Sequence, residues 1–65
     1  MDVEAEKARL TAELKEIRGQ VDRLEKLLSS PFAQKAPAAV VDKERGRLAQ
    51  FKETAANLES QLANL

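Results

Sequence analysis

Apolar residues recur at Val3, Leu10, Leu14, Ile17, Val21, Leu24 and Leu28, with spacings of three and four alternating from Leu10 onward. That alternation is the seam of a heptad, with Lys7 as its one polar position. A second series runs Val41, Leu48, Phe51, Ala55, Leu58, Leu62 and Leu65, with Glu44 as its polar exception. Each series lays an apolar stripe along one face of a helix, and neither stripe can stay in water. The spacing therefore predicts two amphipathic helices, about 3–28 and about 37–64, joined by a turn over 29–36. Helices joined so briefly fold back on one another. The expected fold is all-α: a two-helix antiparallel coiled-coil hairpin, a single arm over 1–65.

The joint explains itself. Pro31 forbids continuation of the first helix and pushes Ser30 out of helical backbone. Pro37 suits the first turn of the second helix, where its missing N–H costs nothing. Lys26 sits in the last turn of the first helix, where the dipole favours a cation. If Leu28 lies near Pro37, Leu24 faces Val41, Ile17 faces Leu48, Leu14 faces Phe51, Leu10 faces Ala55 and Val3 faces Leu62. A slip of three or four residues leaves this pattern open. Leu27, Leu28, Phe32, Val40 and Val41 then form a small core under the turn. At about 1.5 Å of rise per residue, the arm is about 40 Å long.

Composition narrows the chemistry. Sixty-five residues with two aromatics, rich in Ala, Glu, Lys, Leu and Arg, favour long helices over a globular core. Cysteine and histidine are both absent, so there is no disulfide framework, no thiolate metal site and no imidazole base. No apolar run approaches a membrane span and the acidic start is not a signal peptide, so a soluble cytoplasmic protein is expected. The formal charge is zero, yet residues 15–52 carry nine basic and five acidic side chains, a net +4. The two ends together carry −4. In a hairpin this becomes a basic outer arm and an acidic base.

Four features are candidates for binding. The cap of the second helix is expected at Ala36, which accepts nothing, and Lys35 beside it adds charge to an already positive helix end. Such an end can receive a phosphate, unless Gln34 or water satisfies the amides and Lys35 merely hangs in solvent. Arg18, Glu25, Arg45 and Lys52 fall along one side of the hairpin. There Glu25 can pair with Arg45, while Arg18 and Lys52 are like-charged neighbours, tolerable around an anion; the alternative is a solvated face. Arg47 projects on the other flank, near Gln20. Gly19 and Gly46 fall mid-helix at one height, a thin point for a nucleic-acid backbone or, the preferred reading, neutral surface drift. No catalytic constellation, metal set or cofactor site is expected, and phosphate and shape are the contacts available to a nucleic acid.

The run Phe32-x-x-Lys35-Ala36-Pro37-x-x-Val40-Val41-x-x-Glu44-Arg45-x-x-Leu48, with "DVEAE" at Asp2–Glu6 and Arg9-Leu10 after it, resembles the C-terminal coiled-coil arm of valyl-tRNA synthetase. Ser29-Ser30-Pro31 and Gly46 depart from that family's usual polar or charged residues. The resemblance implies an arm that reaches the outer corner of tRNA, where the D and T loops meet. Aminoacylation belongs to an enzyme body outside these residues, with Met1 an added start. It implies valine-accepting tRNA and the synthetase body in cis as partners, no cofactor in the arm, and a monomer. Alone the arm would bind weakly, gaining affinity by tethering. The tRNA-binding candidates are Lys35, Arg45 and Arg47, then Arg18, Lys43 and Lys52; Lys35 and Arg45 match the family phrase. The rival is a structural hairpin that pairs into a four-helix bundle through Ala8, Ala12, Ala55 and Ala63.

Overall fold

The computed structural model describes residues 2–65; Met1, expected as an added start, lies outside the described residues. The chain is an antiparallel hairpin of α1 (Val3–Ser29) and α3 (Ala38–Ala63), with a single helical turn, α2 (Phe32–Lys35), at the bend. It forms a rod measuring 49 × 14 × 13 Å.

Local chemistry sets each end. The Asp2 carboxylate accepts from the backbone N–H groups of Glu4 and Ala5 at 3.0 and 3.2 Å, and Glu4 and Glu6 add negative charge to the first turn. A cap of this type is worth about 1 kcal/mol. At the other end of α1, Ser30 is extended, as the residue before Pro31 must be. Its N–H and hydroxyl both donate to the Leu27 carbonyl, and its hydroxyl oxygen accepts from the Phe32 N–H. One side chain thus closes α1 and opens α2. Ala36, extended before Pro37, closes α2 with its N–H on the Phe32 carbonyl at 2.9 Å.

Two expectations about the bend are corrected here. The turn is helical in its middle, and the N-cap of α3 is Pro37 rather than Ala36. The Pro37 carbonyl accepts from Val40 and Val41, while the N–H groups of Ala38 and Ala39 have no partner among the described residues. Lys35 ends α2, where the carbonyls welcome a cation, as well as preceding α3.

The helical turn lengthens the bend, and the register differs from the expected one by a whole heptad. Leu58, rather than Phe51, shares a core with Leu10 and Leu14, and Ile17, Ala55 and Leu62 pack around them. Nearer the tip, Leu24 and Val41 are buried, with Leu27, Leu28, Phe32, Leu48 and Phe51 half-buried. Val40 does not join them: it is 42% exposed, one residue and about 100° round the helix from the seam. Val3 is likewise 45% exposed, because Leu62 already packs with the Leu10 cluster and the first turn of α1 overhangs.

Gly19 and Gly46 face open space: a Cβ built on either meets nothing within 4 Å. With the observed register they also stand about seven residues apart along the rod, not at one height. Gly19→Ala and Gly46→Ala should each stabilise the hairpin by about 1 kcal/mol, raising the thermal midpoint by about 4–8 °C apiece. Circular dichroism melts check this, and an unchanged midpoint would mean the unfolded chain is already helical there.

Candidate nucleic-acid interface

The hairpin converts the charge pattern into geometry. The pair Lys52–Glu25 crosses the rod at 3.4 Å and marks a level along it. Residues 20–52, at and beyond that level, carry seven basic and four acidic side chains, net +3; the remainder carries −3. The expected polarity holds, with its boundary moved by the register.

The six candidate cations divide into two groups. Arg18, Lys52 and Arg47 are engaged: Arg18 Nη2 lies 2.6 Å from Glu59, Lys52 Nζ 3.4 Å from Glu25, and Arg47 Nη1 3.5 Å from Glu44. Lys35, Lys43 and Arg45 are exposed, and among the described residues none has a carboxylate within 4 Å. The expected Glu25–Arg45 pair is therefore replaced by Glu25–Lys52, and Arg18 and Lys52 line one open groove with a carboxylate on each, Glu59 and Glu25. The cause is the heptad shift. Rungs Arg18–Glu59 and Glu25–Lys52 recur every seven residues on one flank, and the next step along α3 is Arg45. By then α1 has ended at Ser29, so nothing acidic stands opposite.

Lys43 and Arg47 sit four residues apart on α3, a like-charged neighbour pair that mildly disfavours the bare helix. An anion over that face removes the cost. Glu44 supplies partial compensation; its side chain is only 17% exposed, in the polar seam position noted above.

Arg23 was missed. It is exposed, unpaired among the described residues, and lies in the basic half. Helical spacing carries the signal: its neighbours three and four residues away are Gln20, Lys26, Gly19 and Leu27, none acidic, whereas Lys26 has Asp22 at 3.1 Å. Arg9, at the acidic base, is held above its usual pKa first by its hydrogen bond to Glu6, then by that carboxylate's charge, with Glu13 adding to both. It remains a cation throughout and takes no part in the tip.

An elongated helical arm with free cations gathered at its bend fits the class of appendages that touch a polyanion from outside. The family described as valyl tRNA synthetase tRNA binding arm matches residues 2–65, and the chain belongs to that family. It is similar to the valine–tRNA ligase of Xanthomonas oryzae pv. oryzae (strain PXO99A), 41% identical over 66 residues that take in the whole chain and 7% of the relative. The valine–tRNA ligase of Carboxydothermus hydrogenoformans is 42% identical over 66 residues, the whole chain and 8% of the relative. That of Francisella tularensis subsp. tularensis is 48% identical over 54 residues, 82% of the chain and 6% of the relative. The chain thus spans less than a tenth of the length of these curated relatives. No solved structure matches it. Among the described residues, no helix is long and apolar enough to cross a membrane.

Proposed function

We propose that this hairpin docks by its basic tip on the outer corner of tRNA, at the junction of the D and T loops, and so supports aminoacylation by the synthetase body it is attached to. The observation that carries the reading is the set of free cations Lys35, Lys43 and Arg45 at the bend of an arm of this family. Arg47 stands beside them, and the open amides of Ala38 and Ala39 add donors for a phosphate oxygen. Arg18 and Lys52, held by carboxylates, contribute less. The contacts are to phosphate and shape, so the arm adds affinity for tRNA in general. Valine identity is read by the body, and the arm acts as a monomer.

A salt titration tests this. Each phosphate contact contributes about −0.7 to −0.9 to the slope of log K against log salt. For the 65-residue chain and tRNA, Lys35→Ala with Arg45→Ala should flatten the slope by about 1.4–1.8. An unchanged slope removes both residues from the interface.

A further inference from the structure

A heptad seam cannot tell one heptad from the next. Sliding α3 seven residues towards the base still sets apolar on apolar along most of the seam, with Leu24 against Val41, Leu14 against Phe51 and Leu10 against Ala55, and in either register Lys7 and Glu44 are the two polar positions that face apolar residues. The flank is less tolerant. As observed, it carries Arg18 against Glu59 at 2.6 Å and, seven residues nearer the tip, Glu25 against Lys52 at 3.4 Å. The sign reverses between the rungs. The slide would put Lys52 opposite Arg18, a repulsion, and Arg45 opposite Glu25. A slide the other way would set Glu25 against Glu59.

We propose that these two crossed ion pairs select the register of the hairpin, and that Lys52, by occupying Glu25, leaves Arg45 free at the tip. Exposed pairs are individually weak. Here they decide because the seam is indifferent between the registers they separate. On the opposite flank the slide would bring Glu13 to Arg47, but both already have partners on their own helices, Arg9 and Glu44. Lys52 and Glu25 are therefore positioning residues for a cation they do not touch. The consequence for Arg45 rests on the tRNA-docking reading; the register claim does not.

Lys52→Glu inverts the balance. The observed register then holds one attraction and one repulsion, while the slid register gains attractions to both Arg18 and Arg45. The chain has no cysteine, so spin labels placed through Ala8→Cys and Gln50→Cys, both exposed positions, report the slide without ambiguity. Measured without tRNA, their separation should shorten in Lys52→Glu by close to 10 Å, about seven residues of helical rise. Adding Glu25→Lys should restore the parent separation. An unchanged separation in Lys52→Glu overturns the proposal. If that variant loses its helical signal, the double swap decides: recovery of helicity and of the parent separation supports the proposal, and failure to recover overturns it.

The link to Arg45 has its own readout. Arg45→Ala should weaken tRNA binding by about five- to eightfold at 0.1 M salt in the parent chain, and by nothing further in Lys52→Glu. Equal losses in both backgrounds overturn the link. A parent chain that does not bind tRNA overturns the docking reading and leaves the separation test standing.

Discussion

Leu58→Ala is expected to unfold most of the hairpin at room temperature. Leu58 is 6% exposed and forms a buried cluster with Leu10 and Leu14. Truncating a buried leucine costs about 2–5 kcal/mol, because the cavity closes only in part. A chain of this size has about 3–5 kcal/mol in total. Two helices offer no third element that could move in to fill the gap. Helical ellipticity should fall to a minor fraction at 25 °C. Val40→Ser is the matched control: at 42% exposure it should change stability by no more than about 0.5 kcal/mol. A Leu58→Ala chain that melts like the parent would mean that the helices are held by something other than this seam.

Reversing Lys35, Lys43 and Arg45 together to Glu is expected to weaken tRNA binding by about 100-fold or more at 0.1 M salt. Each phosphate contact releases about 0.7–0.9 of a counterion, which at that salt is a factor of about five to eight, and three contacts multiply. Added repulsion increases the loss. The fold should survive, since all three side chains are exposed and none is in an ion pair. Lys7 and Lys15 are the comparison: they too are unpaired among the described residues but lie at the acidic base. Reversing them should cost less than about tenfold, and that cost should fade as salt shortens the reach of charge. Equal losses from the two sets would mean that net charge, not the tip, drives association.

Much of the fold was legible in the chain because two strong signals agree. Three-and-four spacing requires helices with a common seam, and Pro31 and Pro37 confine the break between them. What the sequence did not disclose was which heptad faces which, since every slide by seven leaves the apolar pattern intact. That choice shows only in the charges that meet across the hairpin and in a bend that a local bond makes long enough to allow it. The Ser30 hydroxyl donates to Leu27 and accepts from Phe32, starting an extra helical turn. Missing that turn misassigned the partner of Glu25 and the burial of Val3. Val40 failed for a simpler reason, because apolarity alone does not say which of two adjacent valines faces inward.

The candidate interface divides in the same way. Lys35 and Lys43 have no acid three or four residues away on their own helices, so their freedom could be read directly. Arg18 and Lys52 are neutralised only across the hairpin, and that requires the register. Arg45 was recognisable as a cation of interest but was assigned a partner that belongs to Lys52.

A narrow rod, positive at one end and negative at the other, is an electric dipole with a long lever. In the field of a polyanion it experiences torque before it experiences contact. The bend is drawn inward and the root is turned outward while the molecules are still a Debye length apart, about 8 Å at physiological ionic strength. Approach and alignment are thereby merged into one diffusive step. Any body joined at the root arrives already held at a distance of one arm's length, with its own surfaces clear to make the closer decision.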